Sequence, residues 1–204
     1  MIRRSAILLL AVTATLWSAT DAGALDPHVR DGWILGVSYG NATGDITFVE
    51  GVQRQVEDGV SPQFRLGHMV GSKFALGVSY VGWMYETGNV PIKYRSSLQN
   101  VLLTGTWYPG DPESALGGLH LRLGLGYAWS AIAEVEIKED EEQGHGDRRV
   151  DTGVGVELNL GYEFRVYHNT AVGLGVGVVA QSLDGELYKE TVYTPVTLNL
   201  SWYW

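Results

Sequence analysis

Apolar and polar residues alternate with a period of two over most of this chain. In residues 119–130 (LHLRLGLGYAWS), Leu119, Leu121, Leu123, Leu125, Tyr127 and Trp129 fill the odd positions, and His120, Arg122, Gly124, Gly126, Ala128 and Ser130 the even ones. Successive side chains of a β-strand point to opposite faces, so the segment predicts a strand with one apolar-aromatic face and one polar or small face. Seven further segments read the same way: 32–40, 60–70, 74–85, 96–108, 150–166, 171–183 and 194–204. In 96–108 the pattern is weaker, with Val101, Leu103 and Trp107 set against Asn100, Thr104 and Thr106. Residues 41–59, 86–95, 132–149 and 184–193 read as long polar loops, whereas 71–73, 109–118 and 167–170 carry turn chemistry. Past the N-terminal segment no apolar run has the length of a membrane helix and no long stretch keeps a 3.6-residue period. The chain is predicted to be all-β.

Alternation alone admits two solvents for the apolar face. A soluble, lipocalin-like barrel turns it inward around a ligand cavity; a membrane barrel turns it outward to lipid. Eight strands, each near the 9 to 11 residues that cross a bilayer at a tilt, with long and short connections in alternation, favour the second. Aromatic placement points the same way. Trp33, Trp107, Tyr162, Trp202 and Trp204, with Phe74 and Phe164, fall at the turn end of the strands, and Tyr39, Tyr127 and Trp129 at the loop end. Two such sets suit the girdles that flank an apolar band. The expected fold is an eight-stranded antiparallel up-and-down transmembrane β-barrel over residues 25–204. Its inward set holds Arg65, Arg122, Glu157, Glu163 and Arg165 among Asn100, Asn159, Asn199 and many of the chain's 27 glycines. An eight-stranded barrel has room only for side chains, so small residues leave space for a few long charged ones to meet across it.

Composition sharpens the compartment. The first 24 residues carry Arg3 and Arg4, an apolar run from Ala6, and small residues at Ala22 and Ala24, the layout of a cleaved secretory signal. Cleavage after Ala24 leaves twelve basic and twenty-two acidic residues, a net charge of −10, which argues against a nucleic-acid partner. The chain has no cysteine, so neither disulfides nor thiolate metal sites arise.

On these residues the chain resembles the small outer-membrane barrels typified by the transmembrane domain of OmpA and by OmpX. The alternating terminal strand TPVTLNLSWYW, ending on Trp204, is similar to the signal such proteins present to the barrel assembly machinery. The resemblance implies a monomer in the bacterial outer membrane, in contact with lipid and lipopolysaccharide. It implies no cofactor, and the peptidoglycan-binding domain of full-length OmpA has no counterpart here.

Candidate chemistry is sparse. The glycine clusters at 124–126, 153–155 and 173–177 do not complete GxGxxG, because Trp129, Leu158 and Val178 stand where the third glycine belongs. The acidic run Glu139, Asp140, Glu141 and Glu142, with His145 and Asp147, reads as a solvated loop, with divalent-cation collection as the sharper alternative. Lipid A deacylases resemble small barrels with a His, Ser and acid facing the outer leaflet. His68 and His120 were the residues to weigh for that role, yet both fall toward the turn end, without Ser and carboxylate on the same face. The expected function is non-enzymatic, with outer loops for surface interaction or envelope integrity; a deacylase-like enzyme, a narrow pore and a soluble binding barrel remain the alternatives.

Overall fold

The computed structural model describes residues 31–89, 92–111, 114–138, 141–144, 151–167 and 169–204. The expected secretory signal lies outside the described residues, as do Glu139, Asp140, His145 and Asp147 of the acidic loop. The strands are β1 (Trp33–Phe48), β2 (Gln53–Met69), β3 (Phe74–Asn89), β4 (Ile92–Trp107), β5 (Leu119–Lys138), β6 (Glu141–Gly144), β7 (Thr152–Tyr167), β8 (Thr170–Asp184) and β9 (Tyr188–Tyr203). Neighbours pair in the order β4-β3-β2-β1-β9-β8-β7-β5, and β4 pairs with β5, which closes the ring. Every pairing is antiparallel. The short β6 adds only to the outer part of β5, so the barrel itself has eight strands, in up-and-down order.

Closure is completed by the chain terminus. The Trp33 amide donates to the Trp204 carbonyl at 2.6 Å and the Trp204 amide donates to the Trp33 carbonyl at 3.0 Å. The first and last strands therefore share a full ladder, and no sheet edge remains in the apolar zone.

Residue parity sets the two faces. Phe64, Leu66, Leu76, Val78, Leu103, Leu123, Leu125, Leu158, Leu174 and Val176 are all exposed on the outside, with Leu103 at 73%. Ser79, Asn100, Thr104, Arg122, Glu157 and Asn159 are buried on the inside. That is the inverse of a soluble fold. The glycines let strands with one polar face come close: a Cβ on Gly126 would overlap the Val101 carbonyl oxygen on β4. At the turn end Gly71 takes φ 128 in the tight β2–β3 connection.

All four of the segments read as long loops are mostly strand over their described residues, the one after Ser130 through β5 and its pairing with β6. β1 and β2 stay paired out to Thr47↔Gln53, β3 and β4 to Asn89↔Ile92, and β8 and β9 to Ser182↔Glu190. Beyond the apolar band the outward face has no reason to be apolar, so the period-two signal fades while the backbone ladder continues. Ala42, Ile46 and Val56 still point inward there and are buried.

The close strand approach at Gly126 gives a direct check. Gly126→Ala is expected to cost roughly 1–3 kcal/mol, because the added methyl forces β4 and β5 apart. Urea unfolding of the barrel in lipid or detergent, read by tryptophan fluorescence, measures it.

Candidate functional site in the barrel interior and at its outer end

β2, β5 and β7 carry the charged side chains into the lower interior. Arg65 Nη2 donates to Glu163 Oε1 at 3.1 Å and to Ser201 Oγ at 3.1 Å. Ser201 Oγ and Tyr203 Oη in turn donate to the two oxygens of Glu163. Arg122 Nη2 donates to Glu157 Oε1 at 2.8 Å and to Gln63 Oε1 at 3.3 Å, which ties β5 to β7 and, across the interior, to β2. Arg165 makes no ion pair of this kind; its guanidinium lies 4.0 Å over the Tyr203 ring. The five inward charges of the sequence reading thus divide into two carboxylate pairs and one cation on an aromatic face. His120 is buried among them, with its ring 5.7 Å from that of Tyr108.

Above this polar base the interior turns apolar. Val81, Trp83, Leu98, Leu102, Val179 and Tyr193 are completely inaccessible to solvent. Trp83 stacks on Tyr193 with centroids 4.9 Å apart at 25°, and Asn100 Nδ2 donates to Tyr193 Oη at 3.1 Å. Higher still, the hydroxyls of Tyr85 and Tyr188 meet at 3.0 Å, and Tyr188 Oη donates to Ser96 Oγ at 3.2 Å. The plug seals the upper interior. Apart from Asn100, which parity had placed inward, sequence reasoning did not single out these residues, although Trp83 and Tyr85 share parity with inward Ala75 and Ser79.

Asp151 is a second group that sequence reading passed over. Its carboxylate accepts the backbone amides of Glu186, at 3.1 Å, Leu187, at 3.3 Å, and Tyr188, at 2.8 Å, so it pins the β8–β9 turn to the start of β7. The Ser130 amide donates to the Asp151 carbonyl at 2.8 Å, which fixes the same residue to β5. Nothing in the sequence marks it, because its partners are main-chain groups of a distant turn.

On the outside, Trp33, Trp107, Tyr162, Trp202 and Trp204 gather at the turn end with Phe74 and Phe164. Trp107 is paired with Phe74, and Tyr162 packs on Phe164 at 4.7 Å. Tyr39, Tyr127 and Trp129 lie at the other end of the band. There Trp129 is 5.8 Å from Tyr127 and 6.4 Å from Tyr80, an aromatic the sequence reading had not assigned to this group. On β7 and β8 the row level with Tyr127 carries Val154 and Ser182, so this upper set is confined to one side. His68 faces outward at the turn end, edge-on to Trp33 at 5.0 Å, and His120 faces inward. Among the described residues no group of three or more His, Cys, Asp or Glu side chains is arranged to hold a metal.

The outer end gathers the acid of the chain. Segments 41–59, 85–96, 130–152 and 184–194 together hold sixteen acidic and seven basic residues, an excess of nine. Here too the wall divides: the β2–β3 ladder stops at Val60↔Met84, while β1–β2 and β3–β4 continue upward. The gap opens an outward cleft of about 710 Å³ lined by Asn41, Asp58, Gly59, Val60, Met84, Tyr85, Glu86 and Arg95.

Three substitutions separate the roles of these groups. Glu163→Ala or Glu157→Ala should destabilise the barrel by roughly 3 to 5 kcal/mol by stranding a buried guanidinium, as read from unfolding midpoints. Asp151→Ala should lose about 1.5–3 kcal/mol of local stability and speed hydrogen exchange at the Glu186, Leu187 and Tyr188 amides.

No family model and no curated protein matches this chain. Solved structures do. Neisserial surface protein A superposes with a TM-score of 0.57 at 13% identity, over 85% of this chain and 97% of that one. Ail, the attachment invasion locus protein of Yersinia pestis, gives 0.53 at 12% identity, over 85% and 99%. The same protein in complex with the heparin analogue sucrose octasulfate gives 0.52 at 12% identity, over the same shares. At such identities the likeness is one of fold, and the closed eight-stranded barrel described above is the fold of the small outer-membrane β-barrel proteins.

Proposed function

We propose that the protein is a monomeric integral protein of the bacterial outer membrane, non-enzymatic, whose outer end serves surface interaction or envelope integrity. The observation that carries this reading is the continuous exposed apolar band on a closed barrel, bounded by aromatic residues at its two ends. Only a lipid environment makes that exterior favourable. Lipid and lipopolysaccharide are the partners of the band, and the terminal strand ending on Trp204 is the handle for the barrel assembly machinery.

Two further features support a non-conducting, non-catalytic role. The solvent-inaccessible side chains of Trp83, Leu98, Leu102 and Tyr193 fill the upper interior, which supports a non-conducting barrel. Neither His68 nor His120 faces the outer leaflet, where a lipid A hydrolase needs its base. The acid excess at the outer end also bears on the surface partner. Ail is known in complex with the heparin analogue sucrose octasulfate; connecting segments with an excess of acidic residues repel such a sulfated ligand and attract cations.

Fractionation of expressing cells, followed by electrophoresis of the outer-membrane fraction with and without boiling in detergent, tests the reading. The expected result is recovery in that fraction with a shift in mobility on heating. A soluble periplasmic product without the shift refutes it.

A further inference from the structure

We propose that the cleft at the β2–β3 seam is a docking groove for an extended basic peptide, which binds by adding a strand to the open edges of the wall. The proposal rests on the reading above only in that the outer end faces the medium. Three observations converge on it. The ladder between β2 and β3 ends at Val60↔Met84, while each strand goes on pairing with its other neighbour for several residues. Two main-chain edges are thereby presented, and an edge is a template for a further strand.

The cause of the parting is visible in the sequence. Pro62 brings no amide to the ladder, and Ser61 Oγ donates at 2.8 Å to the Gly82 carbonyl. Opposite them the indole of Trp83 fills the interior against the α-carbon of Gly59, where any side chain would overlap it. Trp83 is fully buried and its indole N–H has no protein acceptor. The Trp83 indole thus occupies the inner side of the seam at the level where the ladder ends.

The chemistry of the groove selects the occupant. Val60, Met84 and Tyr85 give it an apolar floor and wall, and Asp58 and the Glu86–Arg95 ion pair stand on its rim. It lies above the aromatic row of Tyr39 and Tyr80, since Asn41 and Val60 are the next residues up. That height puts it among polar outward residues rather than in the apolar band, which favours a peptide over an acyl chain. The excess of nine acidic residues across the outer segments sets the charge of the partner.

The test uses the refolded full barrel in nanodiscs and a short peptide of alternating Lys and Val, fluorescently tagged and ¹³C-labelled at its carbonyls. Heat-modifiable mobility is confirmed for each variant first. The expected result is saturable binding by anisotropy, with the labelled amide I band moving to the strand frequency. The same peptide N-methylated along one edge should lose binding although its charge is unchanged. Asp58→Lys and Glu86→Lys should each weaken binding roughly tenfold. A peptide of alternating Glu and Val should not bind. Equal binding of the N-methylated peptide shows charge attraction without strand addition and overturns the proposal. So does labelling of Met84 by a photoactivatable phospholipid when the peptide fails to bind, which assigns the groove to an acyl chain. Loss of the outer-membrane location in cells is a separate result and bears on the proposed function alone.

Discussion

A main-chain amide or carbonyl inside a bilayer must find its partner in the protein, since no water is there to supply one. A sheet meets that demand only by closing on itself, and the architecture of this chain follows from that. Closure needs β4 against β5 and β1 against β9, and the terminal residues Trp33 and Trp204 complete the second seam by exchanging hydrogen bonds. Once the ladder is closed, side-chain parity has a single use: one set meets lipid and the other fills a narrow interior.

The interior is solved in two ways along its length. Near the turn end, Arg65 of β2 meets Glu163 of β7 across the interior and Arg122 of β5 pairs with Glu157 on the neighbouring β7, with glycines leaving them room. Burying such pairs confers little net stability, but breaking one is costly, so they fix which strands face one another more than they strengthen the whole. Near the loop end the same space is filled by Trp83, Tyr193, Leu98 and Leu102. The change from ionic to aromatic filling coincides with the height at which the wall itself begins to divide, at Val60↔Met84.

The fold was legible because lipid imposes period two on every crossing strand, as in Leu119–Trp129 and Val154–Phe164. The outer ladders were not, because above the band the outward face is polar and only a few inward residues, such as Ile46 and Phe48 on β1 opposite Gln53 to Gln55, stay apolar, too few to stand out from a loop. The inward charges could be named from parity, but their partners could not. Arg65 reaches Glu163 across the interior, a relation set by barrel closure rather than by spacing in the chain. Asp151 was invisible for a similar reason: its three donors are backbone amides of Glu186, Leu187 and Tyr188, brought to it by the β7–β8 hairpin.

The continuation of β1–β2 and β3–β4 above the apolar band has an immunological corollary. Segments with the composition of loops are held as paired strands out to Thr47↔Gln53 and Asn89↔Ile92. What this end presents over these residues is a corrugated sheet surface in which neighbouring side chains come from different hairpin arms. On the proposed orientation, an antibody raised against a linear peptide cut from these segments meets its epitope in the denatured chain, whereas one selected on the folded barrel reads a discontinuous epitope that boiling removes.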